Sequence, residues 1–286
     1  MTTLDTIFLQ AIAAFDSGNA ATLIDIITKH SSLIQNRIQN NTDGYFKDPY
    51  FLWFIADNPI RTGKLPVNIL EITSVLLQVI KTEAADTFQY QIDYALALVA
   101  SGSIPRECGV QIAMIDLLID AGASPDAAMA ALTHGNLEAA KHLLDRGGVL
   151  NLTLAVCLER ADDINRLADV AAPDDKITAL AAAAFYGNEP TVKALLERHI
   201  DPNGFPPVDS GFHSHATPLH QAVSSGSLAC IKLLVQAGAR LDVRDKIYNG
   251  TPLEWASHLR GDADDQTNTA GFASIETYLR SVINYL

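Results

Sequence analysis

The residues whose types and spacing come nearest to chemistry are three histidines, at 213, 215 and 220. In Phe212-His213-Ser214-His215 the two imidazoles are two residues apart, so an extended segment places both on one face. With Asp209 or a neighbouring loop they would offer a three-ligand set to a metal such as zinc. The competing use of the pair is partner contact or loop bracing, and that reading is preferred. Asp162-Asp163 and Asp174-Asp175 are adjacent carboxylates near helix starts, where they complement the helix dipole and stay solvated. Neither pair has a sequence neighbour able to complete an acid–base step. Cys108, Cys157 and Cys230 are odd in number, far apart and never in a CxxC pair, and none has an activating base nearby. They read as small hydrophobes of a reducing interior, with neither a disulfide framework nor a thiolate zinc site. The chain contains no GxSxG, HExxH, phosphate-binding loop or dinucleotide fingerprint. No enzymatic activity and no cofactor are expected.

What positions these residues is a repetitive helical framework. The chain has 286 residues, 48% of them hydrophobic and 19% charged, enough to build a sizeable core. Aromatic residues are only 7% while Leu and Ala abound, a bias toward stacked helices. The formal net charge is −13, which disfavours nucleic acid and anionic lipid, because both are bound mainly by Lys and Arg. The N-terminal stretch has no basic leader and is bracketed by Asp5 and Asp16, so it does not read as a secretory signal. The longest apolar candidate, 177–186, is half the roughly 20 residues a membrane span needs. A cytoplasmic protein is expected.

Four segments say nearly the same thing: IDLLIDAGASPD (115–126), KHLLDRGGVLN (141–151), KALLERHIDPN (193–203) and KLLVQAGARLD (232–242). Aligned on Gly122, Gly147, His199 and Gly238, they are spaced by 25, 52 and 39 residues, and the widest gap leaves room for a degenerate copy at 151–173. Repetition on this scale signals a solenoid. Ahead of each apolar block lies a short, small-residue helix ending in glycine, as in MAALTHGN, AAAAFYGN and HQAVSSGS. Glycine takes the left-handed turn there without steric cost. Neither helix of such a pair can bury its apolar face alone, whereas stacked copies share a continuous core.

Thr217-Pro218-Leu219-His220 is the sharpest local motif: Thr suits an N-cap and Pro the first helical position. Thr251-Pro252-Leu253-Glu254 repeats it with the reciprocal Glu of a capping box, and Asp48-Pro49 offers a third version capped by Asp. TPLH, followed by Ala222, Gly226 and the block ending at Ala239, resembles the ankyrin repeat. The resemblance is closest over 217–242, good at 115–126, 141–151 and 193–203, and faint before residue 90. It implies an all-α, ankyrin-like solenoid of about eight stacked helix-turn-helix repeats in one domain, 1–286. Repeats in 1–90 are divergent, those in 91–261 clearer, and a helix at 272–286 caps the stack through Tyr278, Leu279, Val282 and Ile283. Expected helix pairs are 4–15 with 20–34, 48–57 with 67–82, 90–101 with 107–121, 126–135 with 137–146, 151–160 with 162–171, 175–186 with 189–198, 217–225 with 228–237, and 251–260 with 272–285. Finger loops of β type should be long only toward the C-terminal end, at 199–216 and 240–250, while 36–48 and 262–271 read as surface loops. Trp53 and Trp255 are assigned to packing.

The resemblance also implies that His220 braces loops by hydrogen-bonding backbone, and that a partner lies against the first helices and finger tips on a concave face. The positions just before each first-helix glycine point there: Thr133 and His134, Glu159 and Arg160, Phe185 and Tyr186, Ser224 and Ser225, and His258. Tyr248, His213 and His215 extend the patch from the fingers. Phe185 and Tyr186 stand out as hot-spot anchors, although Phe185 is equally suited to sideways packing. The expected function is a non-enzymatic scaffold binding a protein with a basic surface. The alternatives are a small-molecule or metal site, enzymatic or not, under the 199–216 loop, and a self-associating structural subunit.

Overall fold

A computed structural model describes residues 3–39, 43–262 and 266–284. By backbone contacts the chain falls into two compact units, Met1–Val149 and Leu150–Leu286. Among the described residues every regular element is helical.

The first unit holds four hairpins. The first is α1 (Thr3–Asp16) with α2 (Ala20–Lys29) and a short α3 (Ser32–Gln35). A 3₁₀ segment, Phe51–Ala56, pairs with α4 (Ile69–Glu83); α5 (Ala85–Ser101) and the short α6 (Ser103–Glu107) pair with α7 (Gln111–Asp120); α8 (Ala128–Thr133) pairs with α9 (Leu137–Asp145). Two expectations are corrected here. The helix expected over 20–34 breaks in two, where the His30 N–H turns back onto the Ile26 and Ile27 carbonyls. The helix expected at 48–57 is a 3₁₀ segment without an Asp cap: Asp48 sits at φ 46°, outside capping geometry. Its tight winding buries Phe51, Leu52, Trp53, Ile55 and Ala56, nearly all the way round. Buried polar side chains then close the C-terminal end of α5. The Gln111 amide donates to the carbonyls of Val99, Ala100 and Gly102 at 2.9, 3.2 and 3.2 Å, satisfying the C-terminus of α5. Asn136 Nδ2 donates to Ala100 O at 2.8 Å, tying one hairpin to the next.

The second unit is likewise four hairpins: α10 (Leu152–Cys157) with α11 (Ala161–Val170), α12 (Pro173–Phe185) with α13 (Glu189–Leu196), α14 (Pro218–Ser224) with α15 (Leu228–Gln236), and α16 (Pro252–Asp262) with α17 (Gln266–Ile283). The first helices pack in sequence, α10 on α12 on α14 on α16, and α13, α15 and α17 line up behind them. In α12 the run Ala181–Ala184 is fully buried, because methyl-sized side chains let neighbouring helices approach closely. Leu180, Val192, Leu195, Leu219, Ile231 and Leu234 fill the space between, each fully buried aliphatic stabilising the stack by about 1.5–3 kcal/mol. The surface loop expected at 262–271 is corrected: α17 already starts at Gln266, and 263–265 lie outside the described residues, as do 285 and 286 of the expected cap. Within α17, Ile275 and Leu279 are buried and Tyr278 and Val282 half-buried.

Candidate partner-binding face

The first helices end alike. After α8, α12 and α14 the chain turns through Gly135, Gly187 and Gly226 at φ near 70°. The following N–H then bonds five residues back: Asn136 to Ala131, Asn188 to Ala183, Ser227 to Ala222. After α10 the same turn is made by Glu159, at φ 55°, with Arg160 N–H on Ala155 O at 2.9 Å. This moves the expected register. Glu159 and Arg160 stand at and after the glycine position, where those at 133–134, 185–186 and 224–225 precede it. Glu159 then accepts from Asn188 Nδ2 at 3.0 Å, and Arg160 pairs with Asp163 at 2.7 Å.

The other nominated residues divide between bracing and exposure. Thr133 Oγ1 donates to Met129 O within its own helix, and the exposed His134 bonds Ala130 O through Nδ1. Ser225 Oγ donates to Ala184 O of the preceding repeat at 2.9 Å, while Ser224 is exposed. Phe185 is half-buried, its ring edge-on to Phe212 at 5.7 Å and to Tyr186 at 5.2 Å. It packs sideways and keeps part of its surface open. Burial and the neighbouring Cys157 push the Tyr186 hydroxyl well above the usual tyrosine range.

From Phe185 a run of rings crosses the fingers. His213 lies 4.9 Å from Phe185, His215 5.8 Å from His213, Trp255 6.1 Å from His215, and Tyr248 6.4 Å from Trp255. The finger 240–250 is tied to the finger before it by Lys246 N–H on His215 O at 2.8 Å. Its tip is exposed at Ile247 and Tyr248, the latter 74% accessible.

Two buried groups hold this geometry. His220 is 0% exposed; Nε2 lies 3.0 Å from Gly250 O and Nδ1 2.8 Å from Thr217 Oγ1. A carbonyl only accepts, so the proton sits on Nε2 and Thr217 donates to Nδ1. That is why Thr217, expected as an N-cap, makes no cap bond: its hydroxyl serves the imidazole. Burial lowers the His220 pKa and that of His215, against the attraction of Asp245. Asp245 receives the N–H groups of Ile247 and Tyr248 on Oδ1, and those of Gly250 and the Trp255 indole on Oδ2. Burial alone would raise its pKa; the four donors outweigh it and bring it to about 2. At Thr251 the capping box forms as expected, with Thr251 N–H on Glu254 Oε2 at 2.7 Å and Glu254 N–H on Thr251 Oγ1 at 3.2 Å.

The structure therefore gathers Phe185, Tyr186, His213, His215 and Tyr248 into one row, and sets Ser224, Tyr248 and His258 around a single cleft with Trp255 and Glu254. Trp255 and Glu254 were not among the residues nominated for contact. The available signal was helical spacing, since Trp255, His258 and Leu259 stand at i, i+3 and i+4 of α16 on one face. Asp209, the expected third metal ligand, is exposed, and among the described residues no three His, Cys, Asp or Glu side chains converge as a metal would need.

Residues 107–245 match the family described as ankyrin repeats (3 copies). Among solved structures, the ankyrin repeat domain of human ASB11 aligns over 71% of this chain and 96% of that one, at 20% identity and a TM-score of 0.34. No curated protein matches the chain significantly. Ankyrin repeats are in general protein–protein interaction modules, and the family is typically non-enzymatic. No helix among the described residues is long and apolar enough to cross a membrane. With the family match over 107–245 and the helix–turn–helix units found there, this part of the chain carries ankyrin repeats.

Proposed function

We propose that the chain is a non-enzymatic scaffold that binds a protein through the first-helix ends and fingers of its second unit. The run of part-exposed rings from Tyr186 and Phe185 through His213 and His215 to Trp255 and Tyr248 carries this reading. Rigid aromatic surface held by a packed framework is where interface energy concentrates. The net charge of −13 favours a partner with a basic surface and speeds its approach, while disfavouring nucleic acid and anionic membranes. Ser224 and His258 extend the contact, and Thr133, His134, Glu159 and Arg160 offer secondary polar contacts on other repeats. A cytoplasmic setting fits three free thiols, two of them buried.

The test uses a partner captured from cell extract, identified and then titrated against the purified chain. Tyr248→Ala removes an exposed ring without touching the core and should weaken binding about tenfold or more, as for a hot-spot anchor. Phe185→Ala with Tyr186→Ala should weaken it further, with circular dichroism confirming that the helices persist. Unchanged affinity in both variants would remove this face from consideration.

A further inference from the structure

We infer that the cleft between the second finger and α16 is a receptor for a cationic side chain of the partner, arginine above lysine. The inference rests on the protein-binding reading and gives it a chemistry. The cleft has a volume of about 390 Å³, within the range of small-ligand pockets, and is lined by Ser224, Tyr248, Glu254, Trp255, His258 and Leu259.

Three features select the ligand. The first is the indole of Trp255, the ring type that attracts cations most strongly over its face. His220 and Tyr248 stand T-shaped to it at 5.1 and 6.4 Å, and its N–H donates to the ionised Asp245 at 3.0 Å, so the ring is fixed in place. Gly250 makes that position available: a Cβ there would come within 3.0 Å of the indole Cδ1 and 3.3 Å of the Asp245 carboxylate. The second feature is charge. Among the described residues no Lys or Arg lines the cleft, whereas Glu254 does, paired with Arg244 at 3.1 Å, and His258 lies 3.2 Å from Asp262, a further carboxylate. The third is the wiring of Glu254. The Thr251 N–H and Arg244 both bond Oε2, so Oε1 stands outside these two ties, while the Thr251 hydroxyl also acts on the carboxylate. A planar guanidinium stacked on Trp255 would donate to Oε1 while its stem covers Leu259. An ammonium is a point charge with stronger hydration and meets only part of this geometry.

The test exploits the scarcity of tryptophan: the chain has two, and Trp53 is 1% exposed in the first unit. Nα-acetyl-arginine amide, Nα-acetyl-lysine amide and Nα-acetyl-leucine amide are titrated into ¹⁵N-labelled protein while the indole N–H resonances are followed, Trp255→Phe assigning them. The arginine amide should shift the Trp255 resonance saturably in the millimolar range and leave Trp53 still. The lysine amide should bind several-fold more weakly and the leucine amide more weakly again. Glu254→Gln keeps a side chain able to complete the capping box, so the helix start survives; it should weaken the arginine amide fivefold or more. No saturable shift, equal binding of the leucine amide, or indifference to Glu254→Gln would overturn the inference. Such a failure with partner capture still dependent on Phe185 and Tyr186 would sink the cationic cleft alone. A normal arginine titration with capture indifferent to those rings would sink the recognition reading instead.

Discussion

Asp245 shows what one carboxylate can organise. All four of its neighbours are donors, two on each oxygen, and only an ionised carboxyl accepts from all of them. An amide in its place must turn an NH₂ group toward one donor pair or the other. Asp245→Asn is therefore expected to destabilise the second unit by about 2–4 kcal/mol, the cost of leaving buried polar groups unmet, read as a drop in the urea midpoint. A change below about 0.5 kcal/mol would show that the finger holds its shape by other means. Asp57 plays a comparable part in the first unit: 3% exposed, it accepts from the Arg61, Thr62 and Gly63 N–H groups.

At the scale of elements, the turns between helices are where this chain departs from an ideal repeat. Glu159 and His199 adopt the left-handed conformation that glycine takes in the other copies, at φ 55° and 59°. Glu159 recovers something through its bond to Asn188; the exposed His199 side chain makes no comparable bond among the described residues. His199→Gly is thus expected to stabilise the protein by about 0.5–1 kcal/mol, the relief of strain exceeding glycine's entropic cost. A lowered denaturation midpoint would show that the imidazole contributes contacts that outweigh the strain. The pairs at 126–146, 175–198 and 217–237 were legible to within about two residues, because glycine, cap and apolar spacing all agree there. The 3₁₀ segment at 51–56 was not, since a six-residue apolar run carries no period that separates the two windings. The register at Glu159 was hidden by the missing glycine. Trp255 was read as packed, and half of it is; that the remainder lines a cleft depends on a finger closing over it from ten residues upstream. The row from Phe185 to His215 was partly visible as separate residues, and only the folded fingers put those rings in line.

For the whole molecule, acid should act through the second unit's finger groups. His215 and His220 have pKa values lowered by burial, so between those values and about 6.5 the folded chain binds fewer protons than the unfolded one. Stability then rises with pH through this window and falls as pH drops below about 6.5. Asp245, held at about 2 against an unfolded value near 4, adds a second loss as pH falls from about 4 toward 2. Urea midpoints should decline from pH 7.5 to 5.5, and His220→Gln should flatten that slope while lowering the plateau. A wild-type midpoint constant over this range would mean that the imidazoles are not kept neutral by the fold. The bond from His220 to the Gly250 carbonyl has a consequence for how such a chain can grow. Imidazole and acceptor belong to successive copies, so a crossover falling between them would hand a descendant one half of the lock from each parent. A graft or deletion that keeps 217–255 together keeps both halves of the lock, whereas one that cuts between them leaves a buried imidazole or a carbonyl unmet.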